Sequence, residues 1–384
     1  MSYTSAFLLG ERNKNRCHVT HVIKRAEFGG LAFRRDMALG LDDVLLVPQF
    51  SDVKSRLDVD ITTNLTKNLI IDAPICSAAM DTVTEQRLAI ALSEKGGAGF
   101  LHRFASDDYI INMVKDIKGV GQLVVPSVGI RKDIVKWVGL LLEYGADAIS
   151  IDIAHGFSSE VLNTIEILKG HFPDSQIIAG NVCTAVATSS LISSGADAVK
   201  CGIGGGHACK TRLVTGFGMP SFTALAECAS VAKEHDIPLI MDGGIKNSGD
   251  IVKSLAAGAS VCMMGYLFSR TLEAPGTVQR IDGVPYKSYR GMASVEAQEV
   301  FKGGLKKGTA AEGESMLVPI EGTVEQLMDE LCGGIRSGLT YCGARNLEEL
   351  RDRAIFTQIT NTSVNESKPF GLSISRNLSS VYHG

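Results

Sequence analysis

Nowhere do the 384 residues contain an apolar run approaching the roughly 18 needed to cross a bilayer as a helix, so no membrane partner is expected. Basic excess is also missing: 38 lysines and arginines stand against 42 acids, a net charge of −4. That balance argues against a binder of nucleic-acid backbones and makes any anion site a local one. Nine cysteines are present, but none forms a CxxC pair or a zinc-type spacing with histidine. This sets aside both a zinc site and a disulfide framework. The odd count, with Cys76, Cys201 and Cys262 in apolar strands, suits a reducing cytoplasm. Finally, no G-x-G-x-x-G motif opens an early βαβ unit with an acid about 20 residues on, which weakens a dinucleotide-binding open sheet.

What is present is an ordinary globular composition, 45% hydrophobic and 21% charged. Residues 1–36 stand apart, with seven basic residues against three acids and no apolar core of the signal-peptide type. The extension 1–38 is expected to be disordered, with the working domain starting near Met37. A polar, Ser/Asn-rich tail is expected over 361–384.

Between these ends one local pattern recurs. A helical segment is followed by Gly145-Ala146-Asp147-Ala148, Gly195-Ala196-Asp197-Ala198 or Gly258-Ala259-Ser260, and then by an apolar strand. The glycine suits a left-handed helix terminus. In 158–169, Val161, Leu162, Ile165 and Leu168 share one helical face. Eight near-continuous apolar runs read as buried parallel strands: 73–79, 97–102, 122–128, 147–153, 176–182, 197–202, 238–243 and 260–265. Eightfold strand–helix alternation predicts an α/β fold, a single (β/α)₈ barrel over 39–360. Residues 276–320 are Gly- and Lys-rich with poor periodicity, predicting a mobile excursion from the carboxyl face, with a flap at about 292–320. Residues 323–354 read as helical, interrupted at Gly333-Gly334.

Barrel enzymes keep their chemistry at the carboxyl ends of strands. Cys209 falls there, closing Gly202-Ile203-Gly204-Gly205-Gly206-His207-Ala208-Cys209 after the strand Ala198-Val199-Lys200-Cys201. A thiol on a glycine-rich loop is a candidate nucleophile, and Lys210 and Arg212 stand close enough in sequence to lower its pKa. The ends of strands 7 and 8, Asp242-Gly243-Gly244 and Met264-Gly265-Tyr266, predict a phosphate site built from backbone N–H groups. Asp242 suits sugar hydroxyls better than phosphate. Asp152, His155, Arg103 and Asp81 also fall at carboxyl ends, each weak evidence alone.

Taken together, Leu41-Asp42-Asp43-Val44-Leu45-Leu46-Val47-Pro48, Ser77-Ala78-Ala79-Met80-Asp81-Thr82-Val83, the Cys209 loop, Asp242-Gly243-Gly244 through Ser248-Gly249-Asp250, and Tyr289-Arg290-Gly291-Met292 resemble the IMP dehydrogenase/GMP reductase family. The resemblance covers about 39–360. It implies a barrel, usually tetrameric, in which the loop cysteine attacks C2 of a purine nucleotide and forms a covalent thioimidate.

Within the family the sequence points to the reductase branch, which converts GMP to IMP with NADPH and releases ammonia. No room exists for a CBS-module insertion between Arg103 and residue 122, and no arginine occurs between Arg290 and Arg336 to activate water as in the dehydrogenase. Ala311-Glu312-Gly313 looks like the reductase's catalytic segment.

The resemblance then implies catalytic roles for Cys209, Thr211 and Glu312. GMP or IMP would be held by Asp242, Gly243, Gly244, Gly265, Tyr266, Gly291, Met292, Ala293 and Gly313. NADPH would be held by Ser55, Arg56, Arg103, Asp152, Ile153, Ala154 and Gly204, with Ser337, Gly338, Leu339 and Thr340 coming from a neighbouring subunit. Carbonyls of Gly204, Gly206, Cys209 and Arg212 would hold a monovalent cation, potassium by expectation.

Two stretches depart from the family pattern. Gly205 and His207 replace a proline and a serine, and Thr309-Ala310-Ala311 replaces Arg-Ala-Ser. An IMP dehydrogenase without CBS modules, using NAD, is the alternative and needs another water-activating base, with His207 the local novelty. A non-catalytic purine-nucleotide-binding homologue is the third reading.

Overall fold

The computed structural model describes residues 25–28, 31–34 and 37–367. Eight parallel strands close into a barrel: β1 (Ile75–Ser77), β2 (Ala98–Leu101), β3 (Val125–Val128), β4 (Ile149–Asp152), β5 (Ile177–Val182), β6 (Ala198–Cys201), β7 (Leu239–Asp242) and β8 (Val261–Met264). Each lies in one of the eight apolar runs. Helices alternate with the strands, including α1 (Gln86–Glu94), α2 (Asp107–Gly119), α3 (Ile134–Glu143), α4 (Ser159–His171), α5 (Ala185–Ser193), α6 (Thr211–Thr215), α7 (Ser221–Glu234) and α8 (Ser248–Ala256).

Strand alternation divides the core in two. Ile75, Leu101, Ile149, Val199 and Met241 pack outward against the helices. Ala98, Phe100, Ile178, Ala198, Ile240 and Met263 fill the barrel interior. The same parity selects the side chains that enter the barrel mouth. Lys200 lies two residues beyond inward-facing Ala198, and Asp242 two beyond Ile240, so both point into it.

The recurring Gly-Ala-Asp element terminates helices as expected, with Gly145, Gly195 and Gly258 at φ +97°, +109° and +111°. Its acid has a repeated structural task. Asp147 takes Lys118 Nζ at 3.0 Å and Val124 N at 2.8 Å; Asp197 takes Lys169 Nζ at 3.0 Å and Ile177 N at 2.8 Å. Each carboxylate thus ties a helix to the start of a strand.

One sequence expectation gains detail and another changes. The excursion after β8 carries an antiparallel sheet of β9 (Gln279–Ile281), β10 (Val284–Arg290) and β11 (Ser315–Pro319), with α9 (Val295–Lys302) between the last two. Lys287 roots it, its buried ammonium donating to the carbonyls of Leu272 at 3.0 Å and Ala274 at 2.5 Å. The predicted break at Gly333-Gly334 is absent: α10 (Val324–Cys342) runs through it. A Cβ on Gly334 would lie 2.2 Å from Ser248 Oγ, so this glycine serves close packing on α8. The helix ends at Gly343, at φ +67°.

Within the expected N-terminal extension, Arg25–Phe28 and Leu31–Arg34 pair antiparallel. The rest of the expected disorder at 1–36, and the tail beyond residue 367, lie outside the described residues. Among the described residues no helix is long and apolar enough to cross a membrane.

Candidate active site

β6 hands the chain to the cysteine loop through a narrow passage. Gly202, at φ +137°, sits so close to β7 that a Cβ there would lie 2.1 Å from the Asp242 carbonyl oxygen. Only glycine fits that backbone and that space. Gly202→Ala is therefore expected to push the loop off Asp242, destabilising the protein by about 1–3 kcal/mol and lowering turnover; thermal denaturation and an activity assay on the same sample check both effects.

At the end of the loop, the Cys209 thiol donates to Thr211 Oγ1 at 3.3 Å, and Cys209 N donates to Gly206 O at 3.1 Å. The nearby cations are committed elsewhere. Lys210 pairs with Glu314 at 2.9 Å, while the Arg212 guanidinium donates to the carbonyls of Ile203 and Met219.

Two cavities meet beside the loop. The first, of about 370 Å³, is lined by Cys209, Thr211, Glu312, Arg103, Asp152, Ile153, Ala154, Asn181, Gly291, Met292, Ala293 and Gly313. The second, of about 520 Å³, is lined by Asp242, Gly243, Gly244, Gly265, Tyr266 and His207, among others. Met80, Gly206 and Tyr289 line both. Most of the predicted site residues thus converge on one composite opening at the carboxyl face. His207 stacks on Tyr266, ring centroids 4.1 Å apart, at the edge of the glycine-rich cavity. Burial, then the charges of Asp242 and Cys209, push the Tyr289 phenol well above its ordinary pKa, so it enters the site as a neutral donor.

Between the cavities lies a charge network that sequence reasoning missed. Lys200 Nζ donates to Asp152 Oδ1 at 2.5 Å and to Asp242 Oδ2 at 3.1 Å. Asn181 Nδ2 donates to the same Asp242 oxygen and to Gly202 O, both at 2.8 Å. Burial opposes ionisation of Asp152, but the Lys200 charge, its hydrogen bond and Arg103 outweigh this and hold the carboxyl below its ordinary value. The signal was available: a lysine at an inward position of the otherwise apolar strand Ala198–Cys201.

The excursion closes over the cysteine. Cys209 and Gly313 form a β-bridge, Lys210 N donates to Glu312 O at 2.7 Å, and Glu314 N donates to Ala208 O at 2.9 Å. Arg290, at the end of β10, holds Asp81 after β1 through Nε at 3.1 and 3.2 Å. Asp81 thus anchors the flap.

Other predicted residues fall elsewhere. His155 is exposed and lines neither cavity. Arg56 and Ser337 line a separate cavity of about 600 Å³ with Lys95, Asp329 and Arg336. Ser55 caps a short turn by accepting from Leu57 N. Gly338 packs against Val252 and Leu339 is fully buried, both at the contact of α10 with α8. Thr340 Oγ1 donates to Ser337 O at 2.6 Å. Gly204 lies against the Arg212 side chain. Of the four carbonyls expected to hold a cation, Gly206 O takes Cys209 N and Arg212 O takes Gly216 N, with the guanidinium alongside. Each carbonyl oxygen has a second lone pair, so these bonds do not exclude a cation-ligand role. Arg103 Nε is buried beside Asp152 at the wall of the cysteine cavity with no hydrogen-bond partner among the described residues, a donor suited to a polar ligand.

These parts define a (β/α)₈-barrel enzyme with its reactive groups gathered over the carboxyl ends of the strands. Residues 38–370 match the IMP dehydrogenase / GMP reductase domain, and the chain belongs to that family, as an oxidoreductase of purine metabolism. An inosine-5'-monophosphate dehydrogenase of Nitrosopumilus maritimus is 32% identical over 465 residues, covering 86% of this chain and 98% of that protein. One from Cryptosporidium parvum is 35% identical over 379 residues, covering 86% of this chain and 94% of that protein. A GMP reductase from Trypanosoma brucei, crystallised with guanosine 5'-monophosphate, superposes with a TM-score of 0.85 at 29% identity, covering 88% and 98% of the two chains.

The sequence-based expectation of a GMP reductase is corrected by these relatives. Dehydrogenases match at 32–35% identity over 86–88% of the chain. The Cryptosporidium enzyme matches over nearly its whole length in 379 residues, so the missing insertion does not mark a reductase.

Proposed function

We propose that this protein is an IMP dehydrogenase without an inserted regulatory module, oxidising C2 of IMP with NAD and water to give XMP and NADH. The observation that carries this reading is the placement of Cys209 in one cavity with Thr211 and Glu312, beside a glycine-rich cavity suited to a nucleotide, in a chain whose relatives are named IMP dehydrogenases.

In this reading Gly243, Gly244 and Gly265 offer backbone to the 5′-phosphate, and Asp242 accepts from ribose hydroxyls. The Cys209 sulfur adds to C2, and its proton has a route through Thr211 Oγ1, 3.3 Å away. NAD, bound along Arg103, Asp152 and Ala154, supplies the acceptor for the hydride leaving C2. Water then adds to the resulting thioimidate at C2, the C–S bond breaks, and the thiol is restored. The proton lost by that water needs a base. Thr211 and Glu312 line the same cavity as the sulfur and provide a hydroxyl and a carboxylate for it, without the arginine absent from the flap. A homotetramer and a cytoplasmic setting belong to the same proposal, the latter supported by eight free cysteines among the described residues.

The test is a paired assay on the purified protein. IMP with NAD is expected to yield XMP and NADH in equal amounts. Silence in that arm, with NADPH consumption and ammonia release from GMP in the other, would overturn the reading.

A further inference from the structure

Asp152 lines the cavity that holds Cys209, whereas Asp242 lines the glycine-rich cavity next to it. A single ammonium group joins them. Lys200 Nζ reaches one oxygen of each carboxylate, and the lysine side chain is only 3% exposed. The register of the barrel explains how it gets there. Gly180 on β5 pairs with Asp152 of β4 on one side and with Lys200 of β6 on the other. A Cβ at position 180 would lie 2.6 Å from Lys200 Cβ, so the lysine stem occupies the space that a side chain on the intervening strand would fill.

The trio carries two negative charges and one positive. In a site largely shielded from water, each carboxylate therefore competes for the same cation. Whatever donates hydrogen bonds to one acid changes how much of the lysine the other receives.

We propose that Lys200 is a positioning residue that couples the nucleotide subsite at Asp242 to the dinucleotide subsite at Asp152. The identity of the two ligands rests on the dehydrogenase reading; the coupling itself rests on the lysine bridge. With both acids ionised, Lys200 is shared, and Asp242 keeps enough acceptor strength to bind ribose hydroxyls. With the charge of Asp152 removed, Lys200 commits to Asp242 alone, which then accepts more weakly and is drawn toward the lysine. A change in the cysteine cavity is thereby felt by a ligand in the neighbouring one, and linkage requires the reverse as well.

The experiment is calorimetric titration of the full chain with IMP alone, no dinucleotide being present. Four proteins are compared: unmodified, Asp152→Asn, Lys200→Gln and the double variant. Asp152→Asn, whose side chain lines only the cysteine cavity, is expected to raise the IMP Kd by about fivefold or more. In the Lys200→Gln background the same change is expected to shift it less than twofold. A purely structural loss would not be cancelled by removing the lysine.

An IMP Kd that moves less than twofold in Asp152→Asn overturns the coupling, and this variant decides alone should Lys200→Gln not fold. Equal effects in both backgrounds also overturn it, because the route then bypasses Lys200. Failure of the unmodified protein to bind IMP overturns the dehydrogenase reading and the coupling together, an outcome distinct from the other two.

Discussion

Cys209→Ala is expected to abolish turnover of IMP by about a thousandfold or more, since no other group in the cavity can form the covalent bond to C2. The same variant should still bind the nucleotide within a few-fold of the unmodified protein. Asp242, Gly243, Gly244, Gly265 and Tyr266 line the adjoining cavity and owe nothing to the thiol. Steady-state assay and calorimetry on one preparation separate the two quantities. Loss of binding in parallel with loss of turnover would place the cysteine in the loop's architecture, where Gly206 O and Gly313 are its partners, and would count against a nucleophilic role.

Lys200→Met carries the second large effect, this time on the fold. Removing the cation leaves two carboxylates facing each other at the barrel mouth, and breaking a buried pair in this way typically costs about 3–5 kcal/mol. A value near the lower end is expected, because Asp152 and Asp242 keep 25% and 22% of their side-chain surface exposed. Urea denaturation at neutral pH measures it. The two shifts set the pH window. Asp152 is held below its ordinary 3.8, so its share of stability is present above 3.8 and is lost as pH falls through the lowered value. Despite burial, Asp152 and Asp242 raise the ammonium of Lys200 above its ordinary 10.5, so its share is complete below 10.5 and fades only as pH rises through the raised value. The gap between the two proteins should therefore be flat between those limits and close on the acid side.

The barrel was legible because its strands are short apolar runs at regular intervals, and because Gly145, Gly195 and Gly258 mark where helices must stop. The site was legible where residue type and position agree, as for Cys209, Asp242 and the glycines after β7 and β8. Gly333-Gly334 misled because a glycine signals both a helix end and a close approach, and only the position of Ser248 distinguishes them. Lys200 was overlooked because a lone lysine in a strand looks like a fault in the hydrophobic pattern; its meaning appears only when β4 and β7 supply the acids. The choice of branch within the family rested on two absences, an insertion and an arginine, and on the Ala311-Glu312-Gly313 segment; an absence does not specify which group replaces it, and a carboxylate can serve proton transfer in either direction. Thr211 and Glu312 are 101 positions apart in sequence and line one cavity only because the flap folds back over the loop.

That return contact has a mechanical consequence. The strand-like bridge from Gly313 to Cys209, with Lys210 and Ala208 bonded to the residues on either side, makes the cover and the reactive thiol parts of one rigid clasp. Lifting the cover to admit or release a nucleotide means unzipping the loop that aims the sulfur. Cys209 is half-buried in the clasped form, so the clasp aims the sulfur without sealing it from a ligand. Hydrogen exchange at the Lys210 and Glu314 amides, which make the clasp bonds, would serve as a clock for that unclasping.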